Sequence, residues 1–190
     1  LTISGRLNPT RGGPSVFPTL PAEVHTTQDS AGKGWQDSPL PEQDRRSIYL
    51  VVKRALKVPL LECFDAANGT SSIGQRTRTT VAPQALTLLN DPWIQIQAKA
   101  FANRVTREAG TDRDRQIERA FALALQRLPT RAEAKAARNL LQDQAALVKT
   151  DPKINQQGEP PTAAHRDAQQ SALVSLCRGL LNVNEVLGTE

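Results

Sequence analysis

The sequence predicts a mainly α protein: a helical bundle of about four to five helices behind an irregular, loop-rich N-terminal third. Three observations carry this. Apolar residues in the second half recur at helical spacing, helix-start signals stand in front of those stripes, and proline and glycine crowd the beginning of the chain. Residues 1–44 hold six of the thirteen prolines and five of the eleven glycines.

Taken in order, Gly12-Gly13-Pro14 and Pro18 punctuate a short apolar patch, Val16-Phe17. Glycine admits positive φ, while proline fixes φ near −65° and donates no backbone hydrogen bond. The segment therefore runs neither as a regular helix nor as a central strand. From Thr19 to Asp44 the chain is polar and turn-rich, with Trp35 as its large apolar anchor, which reads as a surface strap or a partly mobile loop. Residues 1–44 are accordingly expected to form an extended arm, 45–187 the helical domain and 188–190 a tail.

The apolar run Ile48–Val52 contains three β-branched residues and Tyr49, a composition suited to a short buried strand at 47–52, with a short buried helix as the alternative. Pro59 ends either one. Residues 66–81 are rich in Gly, Ser, Thr and Arg and read as a loop, and a short helix is expected from Pro83 to about Asn90.

Asp91-Pro92 is an N-cap followed by proline at the first helical position. Ile94, Ala98, Phe101 and Val105 then advance by four, three and four, and Gly110 stops the helix. A second helix fits 112–127, with Ile117, Ala120, Phe121, Ala124, Leu125 and Leu128 on one face. Thr130 and Glu133 form a capping box. It opens a third helix with the stripe Ala136, Ala137, Leu140, Leu141 and on to Leu147-Val148. Residues 150–163 read as a polar connection. The last helix is expected from about Asp167 to Leu181, with Leu173, Leu176, Cys177, Leu180 and Leu181 inward.

Composition narrows the function classes. No apolar run approaches the ~20 residues of a membrane span. The two cysteines, Cys63 and Cys177, are 114 positions apart with no His following either, so the Cys-x-x-Cys-His attachment of haem c is missing from these residues. No metal-ligand spacing, nucleophile elbow or phosphate-cradling glycine loop occurs. His25 sits in the polar strap and His165 precedes the last helix near Asp167, where capping and solvation explain it. No catalytic residue is assigned. The charge of +5 is spread along the chain, apart from Arg45, Arg46, Lys53, Arg54 and Lys57. Tyr49 is the one aromatic among them, so the stacking pattern of a nucleic-acid surface is missing. The absence of Met and the start at Leu1 read as a piece of a longer polypeptide.

One polar group stands out: Arg45, Arg46, Asp65, Arg76, Arg78, Thr79, Thr80 and Asn90, on elements expected to pack together. As a binding site, guanidinium forks would hold a carboxylate, sulfate or other anion, including an anionic carbohydrate. As structure, Asp65 pairs with an arginine, and Thr79 or Thr80 caps the helix near Pro83. Asn182, Asn184 and Glu185, at the end of the last helix, carry the same two readings.

The ordered set of motifs resembles planctomycete-specific domain one, also called domain of unknown function fifteen fifty-three. The matching pieces are Gly12 to Phe17 with Pro18, Arg45-Arg46-Ser47-Ile48-Tyr49, Phe64-Asp65, Arg76, Thr79 to Leu86, and Leu89-Asn90. They continue with Arg127-Leu128-Pro129-Thr130 and Glu133, then Leu176-Cys177-Arg178, Leu181-Asn182 and Asn184-Glu185. The resemblance spans nearly the whole chain and the C-terminal part of the family's domain. It implies a module at the C-terminal end of a large exported bacterial protein. Such proteins often carry a second uncharacterised domain and a cytochrome c-like domain, so any haem c would belong elsewhere in the parent chain. The implied partners are the parent's other domains, and the family implies no reaction; the rival reading, from the Arg and Asp residues themselves, is part of a periplasmic enzyme or binding protein acting on polysaccharide or another anionic polymer. If the parent is exported, a Cys63–Cys177 disulfide is open. Two departures are visible. Gln126 stands where the family usually has Gly, which reads as a surface change, and no aromatic pair follows Asn184-Glu185.

Overall fold

The computed structural model describes residues 1–20, 35–53, 58–64, 82–150 and 161–183, with side chains defined over 84–147 and 168–183 in the last two stretches. Among the described residues it contains seven helices and no sheet. They are α1 (Leu40–Gln43), α2 (Pro59–Cys63), α3 (Ala82–Asn90), α4 (Pro92–Ala109), α5 (Arg113–Leu125), α6 (Arg131–Thr150) and α7 (Pro161–Leu181). The chain divides into two compact units, one comprising Leu1 and Arg6–Thr87, the other Thr2–Gly5 and Leu88–Glu190.

The second unit is a bundle of helices. The Asp91 side chain accepts from the N–H groups of Trp93 (2.8 Å) and Ile94 (3.2 Å), capping α4. Asp112 does the same for α5, accepting from Asp114 and Arg115. Gly110 ends α4 at φ +71°, where a side chain would strain the backbone. The core is built from Phe101, Val105, Ile117, Phe121, Leu141, Leu173 and Leu176, with alanines between them and Cys177 fully buried. Small residues at Ala98, Ala102, Ala120 and Ala172 leave room for the larger ones to interlock.

Three assigned inward positions are corrected. Leu128 is 66 % exposed and Leu147 63 %, and Ala136 is exposed as well. Leu128 lies past the end of α5, where the helical period no longer governs which way a side chain faces. Ala136 and Leu147 flank the true stripe of α6, Ala137–Leu141–Ala145. The last helix also starts earlier than expected, at Pro161 rather than near Asp167.

In the first unit the strand expected at 47–52 is corrected to a 3-10 turn over Ser47–Tyr49, followed by a single parallel bridge between Val16 and Leu50. The Val16 N–H donates to Tyr49 O (2.8 Å), and the Val51 N–H donates to Val16 O (2.9 Å). Pairing stops there because Pro14 and Pro18 flank Val16 and neither has an N–H for a ladder. The run is not buried as a whole: Ile48 is 77 % exposed and Val52 68 %. A small cluster forms instead around Trp35 and Leu20, with Phe17, Val51 and Val58 against it. Phe17 meets Trp35 edge to face at 5.2 Å, and the indole N–H donates to Pro18 O. Trp35 is thus the anchor of the arm. Both cysteines are free thiols, Cys63 half-buried and Cys177 buried. No helix among the described residues is long and apolar enough to cross a membrane.

Candidate functional site

Among the described candidate residues, Arg45 is the most deeply placed, 3 % exposed. Residues 44–45 follow α1 directly, and Arg45 pairs with Asn8 in a parallel bridge. That position carries its side chain beneath the Gly12-Gly13-Pro14 turn. The guanidinium donates to Gly12 O and to Pro14 O (3.3 Å), reaches Glu42 at 3.4 Å, and stacks on the Tyr49 ring with Cζ 4.0 Å from the centroid. The Tyr49 hydroxyl in turn accepts from the Gly12 N–H at 3.2 Å. Gly12 and Gly13 sit at φ +73° and +85°. Only glycine adopts that backbone without strain, and this is what lets the turn close over the arginine. The Nε of Arg45 is buried without a hydrogen-bond partner.

Next to it, Asp44 is buried and takes a forked contact from Arg6, Nε at 2.9 Å and Nη2 at 2.8 Å. Arg6 and Asp44 escaped sequence reasoning because no local pattern links positions 38 apart. Arg46, by contrast, is exposed. Asn90 is exposed at the end of α3, and its carbonyl accepts from the Gln95 side chain. Asn182 follows α7; its N–H donates to Gly179 O, and its Oδ1 is buried without a partner. Asp65, Arg76, Arg78, Thr79 and Thr80, together with Asn184 and Glu185, lie outside the described residues, as do His25 and the side chain of His165.

The bundle carries charged assemblies of its own. Glu108 accepts from Arg104 Nε (2.8 Å) and from Arg119 Nε (2.7 Å), and these hydrogen bonds hold its carboxyl below the usual carboxylate range. Arg104 also donates to the carbonyls of Thr2 and Ile3. On another side, α5 and α6 border an open hollow of about 230 Å³ whose lining includes Ile117, Glu118, Leu128 and Arg131. Arg138 and Asp114 also line it and pair at 2.7 Å. Among the described residues no three His, Cys, Asp or Glu side chains gather in a way that could hold a metal ion.

What the fold and these sites define is an α-helical bundle and, preceding it in the chain, an arginine-pinned arm; among the described residues the Arg6–Asp44, Arg119–Glu108 and Arg138–Asp114 ion pairs join one segment of the chain to another. A family model described as PSD1, protein of unknown function (DUF1553), matches residues 1–141. The chain belongs to this planctomycete-specific domain family. No curated protein and no solved structure matches it. The motifs from Leu176 to Glu185 fall beyond the matched residues.

Proposed function

We propose that the chain is a non-catalytic structural or binding module of a larger exported bacterial protein associated with a c-type cytochrome. The observation that carries this is the use made of Arg45: this buried member of the candidate cluster is directed at backbone carbonyls of its own arm. A guanidinium committed in that way fixes a loop and has little left for a ligand. Haem c would be held by another part of the parent, and the arm would contact a neighbouring domain of that polypeptide.

The rival reading is a periplasmic enzyme or binding protein that takes an anionic polysaccharide through its Arg and Asp side chains. It draws on the exposure of Arg46. Amide hydrogen exchange over residues 5–80, compared between this chain and the complete parent protein, separates the two. Added protection in the parent supports the module, and unchanged protection counts against it. Salt-sensitive binding to dextran sulfate that is lost in Arg46→Ala would favour the polysaccharide reading.

A further inference from the structure

The first six residues close on themselves by two backbone hydrogen bonds. The Arg6 N–H donates to Leu1 O (3.1 Å) and the Gly5 N–H to Thr2 O (3.2 Å). Gly5 has φ +75°. A six-to-one bond enclosing a five-to-two bond around a left-handed glycine is the Schellman signature by which α-helices end. In that register Leu1, Thr2 and Ile3 are the last helical positions, Ser4 the C-cap and Gly5 the residue after it.

The seat of this turn is built. Arg104 Nη1 donates to Thr2 O (2.9 Å) and Ile3 O (3.0 Å), the carbonyls that a helix end leaves exposed, and it brings positive charge to the negative pole of a helix dipole. The Ser4 hydroxyl donates to Gln97 Oε1 at 2.7 Å, with both residues buried, and Ile3 packs on the bundle core. A Cβ on Gly5 would come within 3.2 Å of Arg104 Cδ. Glu108 steadies the arginine from the other side. A helix C-terminal turn thus rests on α4 with its carbonyls, apolar side chain and cap each matched.

We propose that Leu1–Ser4 is the terminal turn of a helix that runs back into the preceding part of the parent polypeptide, and that the Arg104–Gln97 face of α4 is the docking seat for it. This rests on the reading of the chain as a module of a longer protein and specifies how that module is joined: through a helix clamped at its end rather than a free linker.

The test seeds a helix on the turn. An N-terminal extension of about ten residues of Ala, Glu and Lys falls short of the ~12–15 residues at which isolated helices hold in water, because nucleation is costly. Fused to Leu1 of the complete chain, it inherits a formed nucleus. The expected result is amide exchange in the extension slowed about tenfold or more relative to the free peptide. Gly5→Val and Arg104→Ala, each in the extended chain, should return the extension to peptide-like exchange while the amides of Ala102 and Val105 stay protected. Helical carbon chemical shifts at Thr2 and Ile3 give a second readout that needs no variant. Peptide-like exchange in the unmutated extension over a protected bundle would overturn the proposal. It would leave the module reading untouched, since that reading is tested by the arm's exchange in the parent protein.

Discussion

Arg127 grips Glu133 with both terminal nitrogens, Nη1 to Oε2 at 2.9 Å and Nη2 to Oε1 at 2.7 Å. The same carboxylate accepts from the Thr130 N–H at 2.7 Å, while the Thr130 hydroxyl accepts from the Glu133 N–H at 3.3 Å. A capping box and a forked ion pair therefore share one side chain, and the α5–α6 turn is closed at both ends. The Arg127 guanidinium also lies 6.0 Å from the centre of the Phe121 ring, which ties the clasp to the core.

Glu133→Gln removes the charge and weakens the fork while keeping the shape. Both partners are about one-third exposed, 36 % and 34 %, so solvent screens much of the interaction. The expected loss is about 1 kcal/mol in urea denaturation at neutral pH. The pH dependence has a definite sign. Hydrogen bonds from Arg127 first, then from Thr130, lower the Glu133 pKa from 4.5 to about 2. The charged form is favoured by folding, so its stabilisation is complete above the unfolded value and fades as pH falls from about 4.5 toward 2. The gap between wild type and Glu133→Gln should narrow through that window, and a constant gap would count against the clasp.

Gln126, immediately before this clasp, adopts φ +57° and is the one non-glycine among the described residues with positive φ. From the sequence, the departure at Gln126 reads as a surface change. The residue is indeed exposed, but it also ends α5 in the left-handed conformation. Gln126→Gly should therefore raise stability by about 0.5–1 kcal/mol, since relief of the strained φ exceeds the added freedom of the unfolded chain. A thermal midpoint that falls would show that the Gln side chain contributes contacts that outweigh the strain.

The bundle was legible because its signals are local. Asp91-Pro92, Gly110 and Thr130 with Glu133 act over one turn of helix, and Ile94, Ala98, Phe101 and Val105 repeat at the helical period. The arm was legible only as irregular. Whether Ile48 is buried depends on a partner more than thirty residues away, and prolines on either side of Val16 limit that partner to one bridge. Arg45 was picked out by its neighbours in sequence, but its ring of acceptors at Gly12 and Pro14 needs the fold to be seen. The Thr2–Gly5 turn on Arg104 was invisible for the same reason: its partners are about a hundred positions apart and share no pattern.

The two thiols should differ sharply in reactivity. Burial alone pushes the Cys177 thiol far up from its ordinary value, so the nucleophilic thiolate is scarce there at pH 8. Cys63 is half-buried, with Sγ 3.4 Å from Thr87 Oγ1. A disulfide-exchange reagent should label Cys63 in the folded protein and reach Cys177 only at the rate of global opening. Equal labelling rates would mean that α7 does not hold Cys177 in the core. Chain purified under oxidising conditions should still show two titratable thiols after unfolding, and none would restore the disulfide that the sequence left open.

Arg45→Ala tests the use made of the buried guanidinium. It strips hydrogen bonds from Gly12 O and Pro14 O, uncovers Tyr49 and leaves Glu42 without its buried partner. Loss of such a contact set is expected to cost about 2–3 kcal/mol, felt in the first unit. Limited proteolysis should cut residues 6–20 faster, while the amides of α4 and α7 keep their exchange rates. Arg45→Lys should not restore the arm, because an ammonium cannot span two carbonyls and lie flat on a ring. A variant that retains slow proteolysis but loses binding to dextran sulfate would reverse the assignment, making Arg45 a ligand-binding group and the arm merely its cover.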